Sequence, residues 1–161
     1  MKTVNSPTIF VVDENPVYAK LVQQYLEVAD YTEVLTFTRT GECLRYLDLH
    51  PDIIITEFNS SDISVSGINL LNTIKRKCPD TAIVFLTSRS SVEDAVKAIR
   101  HGAAEYIIKS KYALDSLVHK VNRIITFRRE LINYSRTKKR LVVSLSFLIV
   151  LTLFLVYFYI Y

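Results

Sequence analysis

At 161 residues the chain has room for one domain with a real core, and not comfortably for two. Its net charge of +4 is not spread evenly: eight basic residues and one acid between Lys120 and Arg140 make +7, Leu141 to Tyr161 carries no charge, and residues 1–119 are left at −3. The basic pI is therefore a property of one segment and argues against a nucleic-acid face on the globular part, while two distant cysteines, Cys43 and Cys78, with no Cys or His at ligand spacing, argue against a zinc cluster or a redox pair.

Met1 to Pro7 is short and polar, without the apolar stretch of a signal peptide, so the domain is expected in a reducing compartment, most simply the cytoplasm. Thr8 to Val12 reads as a buried strand ending at Asp13-Glu14. Asn15-Pro16 opens a helix whose inward face is expected to be Val17, Leu21, Val22, Tyr25 and Leu26. Glu33 to Phe37 is a second strand, and Thr40 is expected to cap a helix that turns Cys43, Leu44 and Leu47 inward. Ile53 to Glu57 is a third strand, its Ile-Ile-Ile run suited to burial on both faces.

Gly67 to Lys77 reads as a helix with Ile68, Leu70, Leu71 and Ile74 as its apolar stripe, and Ala82 to Leu86 as a fourth strand. Ser90 and Glu93 have the spacing of a capping box for a helix expected to pack Val92, Ala95, Val96 and Ile99 inward, ended by His101-Gly102. Glu105 to Ile108 is a fifth strand, and Leu114, Leu117, Val118, Val121, Ile124 and Ile125 carry a fifth helix. His50, His101 and His119 are expected at the surface. Five strands alternating with helices, nearly all apolar throughout, predict a doubly wound parallel α/β sheet.

In such a sheet the carboxyl ends of the strands converge on one rim, where ligands gather near the switch in strand order. Here those ends bring Asp13-Glu14, Glu57, Thr87-Ser88 and Lys109. Paired acids suit a hard divalent cation with oxygen ligands, and a hydroxyl and an ammonium nearby suit a phosphoryl group.

Four segments at these positions together resemble the receiver domain of two-component response regulators: Val11-Val12-Asp13-Glu14-Asn15-Pro16, Pro51 to Glu57, Phe85-Leu86-Thr87-Ser88, and Ala95 to Lys109. The resemblance covers residues 7–126. It implies a CheY-like, flavodoxin-like fold with strand order 2-1-3-4-5, a bound Mg²⁺ and an aspartate phosphorylated by a histidine kinase. Carried over position by position, Asp13 and Glu14, with Glu57, would hold the metal. Thr87 would be the switch hydroxyl, Tyr106 the switch aromatic and Lys109 the phosphate-binding lysine.

The phosphoacceptor position falls on Glu57, one methylene longer than the family's Asp. Phosphoryl transfer depends almost wholly on placement, and a displacement of about 1 Å can cost on the order of 10²-fold. Glu57 is therefore expected to be a poor acceptor and to put a permanent negative charge near where a phosphoryl group would sit. The loop from Glu57 to Gly67 is two residues longer than the family's usual spacing and lacks its usual proline, and Ser110 follows Lys109 where the family commonly has a cis proline.

Leu141 to Tyr161 is 21 uncharged residues, about 31 Å as a helix, matching a hydrocarbon core of roughly 30 Å. Tyr157, Tyr159 and Tyr161 gather at its far end as interfacial aromatics do, and Arg136, Lys138, Lys139 and Arg140 abut its start. The expected organisation is a receiver-like domain at 7–126, a basic juxtamembrane segment at 127–140 and a tail-anchoring transmembrane helix at 141–161 in the inner or plasma membrane, with the N-terminal domain cytoplasmic. The expected function is a non-enzymatic, membrane-anchored signalling module without conventional phosphorylation. It would bind a histidine kinase or an effector protein, but no nucleic acid, through its fourth helix, fifth strand and fifth helix. Two alternatives stand beside it: a phosphorylated receiver with an atypical acceptor such as Asp62, and a structural membrane anchor built on the receiver fold.

Overall fold

The structure, a computed structural model, describes residues 6–58, 67–88 and 90–160; in the last helix the side chains of 132, 135, 136, 147–151, 153, 154, 156 and 158 fall outside the described set. Strands β1 (Thr8–Val12), β2 (Glu33–Phe37), β3 (Ile53–Thr56), β4 (Ala82–Thr87) and β5 (Glu105–Ile108) form one parallel sheet in the order β2-β1-β3-β4-β5. Helices α1 (Pro16–Val28), α2 (Thr40–Arg45), α3 (Gly67–Lys77), α4 (Val92–Arg100) and α5 (Ala113–Ile160) alternate with them. This is the doubly wound parallel sheet read from the residues, in the flavodoxin-like order that the family resemblance implied. The order reverses at β1, which has β2 on one side and β3 on the other, so the crevice lies between β1 and β3.

The central strands are buried along their whole length, Ile53, Ile54 and Ile55 being at most 1% exposed. Each such side chain contributes roughly 1.5–3 kcal/mol by leaving water. Beneath them Phe10, Ile54, Leu71, Ile74, Ile83 and Phe85 form a continuous core. Helix α5 is tied to the sheet by polar contacts as well. Glu105, nearly buried, accepts from Lys120 at 2.6 Å and pairs with Arg123, and the Tyr31 hydroxyl meets Asn122 Oδ1 at 2.5 Å.

Two helix faces differ from expectation. On α1, Ala19, Val22 and Leu26 are buried, whereas Val17 is 77% exposed and Leu21 and Tyr25 about two-fifths exposed. On α4 the buried residue is Ala98, and the expected inward residues Val92, Val96 and Ile99 are exposed. Both helices have more apolar residues than one buried stripe can take. On α4 the small Ala98 is the residue that is buried, and the larger ones stay on the flank.

The caps also shift. Ser91 rather than Ser90 caps α4, accepting the Asp94 N–H, while Arg39 precedes α2 without a side-chain bond and Thr40 is buried in its first turn. Gly102 ends α4 as expected, at φ +98°, a conformation that favours glycine. His50, His101 and His119 are exposed, as read from the sequence.

The chain divides into two compact units, one ending at Ile124 and one spanning Ile125–Tyr161. The division falls within α5, and no helix break marks the expected boundaries at 126 and 140. Among the described residues no helix is long and apolar enough to cross a membrane. The segment 141–161 is helical through Ile160, but most of its apolar middle, where the membrane reading falls, lies outside the described side chains.

At Gly67, the first residue of α3, an added Cβ would lie 2.3 Å from the Phe58 carbonyl oxygen and 2.6 Å from its ring. Backbone cannot yield as a flexible side chain does, so Gly67→Ala is expected to destabilise the fold by about 1–3 kcal/mol. Urea unfolding at neutral pH checks this.

Candidate functional site

Sheet register brings the site together. Val12 pairs with Thr56, so Asp13 and Glu57 each lie one residue beyond the β1–β3 pairing, at the crevice. Thr87 pairs with Ile108, so Ser88 and Lys109 follow side by side at the ends of β4 and β5, and the Lys109 N–H donates to the Thr87 carbonyl at 2.7 Å. Thr56 pairs with Phe85, leaving β4 two residues longer than β3 at this rim. A side chain reaching up from Glu57 therefore meets the backbone of Ser88.

Lys109 bridges the two acids. Its ammonium donates to Asp13 Oδ2 at 2.7 Å and to Glu57 Oε2 at 3.1 Å, and it lies 4.4 Å from the centre of the Tyr18 ring. Asp13 is oriented from its other oxygen, Oδ1, which accepts the Asn15 N–H at 2.9 Å. Asn15 in turn caps α1, its side-chain oxygen accepting the N–H groups of Val17 and Tyr18. Glu57 Oε1 accepts the Ser88 N–H at 3.2 Å and the Ser88 hydroxyl at 2.9 Å.

These contacts set the charge states. Burial alone would raise the Glu57 carboxyl, but the Ser88 N–H, the Ser88 hydroxyl and Lys109 outweigh it and hold the group below the usual carboxylate range. Burial alone would lower the Lys109 ammonium, but Asp13 and Glu57 outweigh it and hold it above the usual lysine range. The Tyr18 hydroxyl is raised, first by burial, with Lys109 opposing and both carboxylates reinforcing. Glu57 and Lys109 thus face each other as a charged pair throughout the neutral range.

Of the residues singled out from the sequence, Asp13, Glu57 and Lys109 meet directly. Glu14 is exposed beside them, and Thr87 is fully buried at the strand end. Tyr106 is half-buried and packs against Phe58 and Phe85, with ring centres 5.7 and 6.3 Å away. Asp62 lies outside the described residues.

All four oxygens of Asp13 and Glu57 already accept an N–H or O–H, and among the described residues no group of three His, Cys, Asp or Glu side chains is placed to hold a metal ion. In this arrangement the Lys109 ammonium supplies the positive charge between the two carboxylates, and Asp13, Glu57 and the exposed Glu14 are the oxygen donors a divalent cation would use at this rim. Sequence reasoning missed the contribution of Tyr18 and the double donation by Ser88. The available signal for Ser88 was the extra methylene of Glu57, which must end somewhere beyond the acceptor position. Tyr18 gave none, because a tyrosine in a helix's first turn reads as any aromatic.

The pH dependence follows from these shifts. Stability due to the lowered Glu57 group is present above the ordinary carboxylate value near 4.3 and is lost as pH falls through the lower folded value. The Lys109 contribution is complete below about 10.4 and is lost only as pH rises through its higher folded value. The stability difference between wild type and Glu57→Gln, read by urea unfolding from pH 7 to pH 3, is expected to shrink steadily in the acid limb.

A sequence model of the response regulator receiver domain matches residues 9–122. The regulatory protein LuxO of Vibrio cholerae is 32% identical over 99 residues, covering 62% of this chain and 21% of that protein. The C4-dicarboxylate transport transcriptional regulatory protein DctD of Rhizobium meliloti is 30% identical over 136 residues, covering 84% of this chain and 28% of that protein. The chain thus spans between about a fifth and just over a quarter of the length of these relatives. Among solved structures, a receiver domain protein from Clostridium thermocellum superposes with a TM-score of 0.68 at 27% identity, covering 78% of this chain and 98% of that one. The signal receiver domain of a LuxO-type protein from Vibrio parahaemolyticus shares the fold with a TM-score of 0.69 at 22% identity, covering 80% and 96%. With the sheet order, the placement of Asp13, Thr87 and Lys109 and a family match over most of its length, the chain belongs to the response regulator receiver domain family of two-component signalling.

Proposed function

We propose that this receiver works without phosphorylation, because the Glu57 carboxylate stands in for the phosphoryl group. The observation that supports this is the pair of contacts made by that side chain. One oxygen takes the N–H and hydroxyl of Ser88 at the end of β4, and the other takes the ammonium of Lys109 at the end of β5. An acyl phosphate on a shorter aspartate would offer oxygens to donors of this kind. The charge is permanent, so the β4–β5 end is held in one state.

The buried Thr87 and the Tyr106 ring against Phe58 and Phe85 form the switch pair that passes this state on. The face that passes it on is made of α4, β5 and the turn that enters α5, where Val92, Val96, Ile99, Ile108 and Tyr112 are exposed. Its partner is a signalling protein, a histidine kinase or an effector, and the chain itself is not an enzyme. Mg²⁺ is dispensable for holding the corner together, since Lys109 contacts both carboxylates and offsets one of their two charges.

In the same proposal, the uncharged helical stretch 141–160 with Tyr161 sits in the membrane, and Lys138, Lys139 and Arg140 keep the receiver on the cytoplasmic side.

Incubation with acetyl phosphate and Mg²⁺ is expected to leave the wild type without stable label, whereas Glu57→Asp, which restores the shorter acceptor, takes up label. Intact-protein mass spectrometry reads both; a stable phosphoryl adduct on Glu57 overturns the proposal. Replacing Ser88 by Ala removes the hydroxyl bond to Glu57 and leaves the backbone bond. It is expected to cost about 0.5–1.5 kcal/mol in chemical unfolding.

A further inference from the structure

Tyr18 stands in the first turn of α1, half-buried, and the centre of its ring lies 4.4 Å from the Lys109 ammonium. The charge balance of the corner does not need it, since Lys109 already has Asp13 Oδ2 at 2.7 Å and Glu57 Oε2 at 3.1 Å. An ammonium carries three N–H groups, and the ring face is its third partner. Among the described residues the Tyr18 hydroxyl has no hydrogen-bond partner. Burial holds that hydroxyl above its ordinary range, so the ring is neutral at neutral pH. What Tyr18 brings to the corner is therefore its face.

The ring is aimed by the same carboxylate that binds the ammonium. Asp13 Oδ1 accepts the Asn15 N–H at 2.9 Å, and Asn15 Oδ1 accepts the N–H groups of Val17 and Tyr18 at 3.0 and 3.2 Å. Ala19, Val22 and Leu26 are buried, which fixes the rotation of α1 about its axis and so the side on which Tyr18 stands. The contacts close a circuit that runs from Asp13 to Asn15, to Tyr18, to Lys109 and back to Asp13.

We propose that Tyr18 is a positioning residue: it pins the Lys109 ammonium between Asp13 and Glu57 and thereby sets how weakly this rim takes a divalent cation. The carboxylate oxygens of two strand ends suit a hard cation. Asp13 Oδ2 and Glu57 Oε2 both face one ammonium, so a cation that takes them must displace it. Tyr18 opposes that displacement. The ammonium is already close to contact with the ring and has no room to retreat toward it, so leaving the carboxylates means leaving the ring as well. Cation entry then breaks the ring contact in addition to two ion pairs. With the Lys109 side chain only one-fifth exposed, a cation–π contact is strong enough to shift this competition by about three- to tenfold. An aliphatic side chain in the same place offers the ammonium no such partner.

The inference rests on the corner as a set of charges, and not on whether Glu57 stands in for a phosphoryl group. A stable adduct on Glu57 would remove the phosphorylation-independent reading and leave the role of Tyr18 standing. The Mg²⁺ titration below bears on Tyr18 alone.

The test titrates MgCl₂ into the full chain in a nonionic detergent, read by isothermal titration calorimetry. Tyr18→Leu is expected to bind Mg²⁺ about three- to tenfold more tightly than wild type. Tyr18→Phe keeps the ring face and loses the hydroxyl, and is expected to stay within about twofold of wild type. A Tyr18→Leu chain that binds no more tightly than wild type, binding by neither included, overturns the proposal, and so does a Tyr18→Phe chain that behaves like Tyr18→Leu.

A second pair of chains asks whether the effect runs through Lys109. In a Lys109→Met background, Tyr18→Leu is expected to change Mg²⁺ affinity by less than about 1.5-fold, because the ring then has no ammonium to hold. An undiminished effect there sinks the positioning role. Lys109→Met leaves two carboxylates without their cation, so NMR of the Lys109 ε-methylene supplies a readout that does not depend on its folding. The resonance is expected upfield in wild type and Tyr18→Phe, shifted by the ring current, and at its ordinary place in Tyr18→Leu. Excess Mg²⁺ is expected to move the wild-type resonance toward that ordinary place. A wild-type resonance already there, or one that Mg²⁺ leaves unmoved, contradicts the pinning.

Discussion

The Lys109 ammonium holds two carboxylates from two other strands, and the rim of the sheet is built around it. Asp13 comes from the end of β1, Glu57 from the end of β3 and Lys109 from the end of β5, and the three side chains are between 7% and 22% exposed. Without the cation, two acids would stand close together in a half-buried crevice. Breaking a fully buried pair by removing one partner costs about 3–5 kcal/mol, and the exposure here screens part of that. The bridge is therefore a structural clasp between distant segments, 96 residues apart in the case of Asp13 and Lys109.

One methylene accounts for much of the rest. An aspartate at position 57 would end near the strand tip. Glutamate reaches past it to the part of β4 that outruns β3, where a backbone N–H and a hydroxyl of the same residue, Ser88, receive it. The contacts pull the carboxylate well into its charged form despite partial burial. A reactive acyl group at this place needs freedom to present an oxygen in line with a donor. A carboxylate with both oxygens occupied has traded that freedom for a fixed position.

Packing connects this corner with the aromatic cluster at the end of the sheet. Phe58 follows Glu57 directly, closes over Gly67 at the start of α3, and meets Phe85 and Tyr106 edge to face at 5.0 and 5.7 Å. Edge-to-face rings have few alternative arrangements at interior density, so the position of β3's last residues and that of Tyr106 are mechanically linked. The apolar residues left exposed on α4 lie on the next element along.

Much of the receiver was legible in the residues alone. The apolar runs Thr8–Val12, Ile53–Glu57 and Ala82–Leu86 read as strands covered on both faces, and the acids, hydroxyls and lysine stand at the strand ends because parallel strands all finish on one side. Local chemistry announces itself in this way wherever periodicity and burial agree. It failed on α1 and α4, where Val17, Val92, Val96 and Ile99 were assigned inward, since helical spacing identifies a stripe but not which of two neighbouring stripes meets the sheet. The bridging of Asp13 and Glu57 by one ammonium, the reach of Glu57 to Ser88 and the Tyr18 ring over Lys109 were decided by tertiary structure. Each depends on strand register and on lengths differing by two residues at a rim, distances set by the whole sheet and encoded in no single segment.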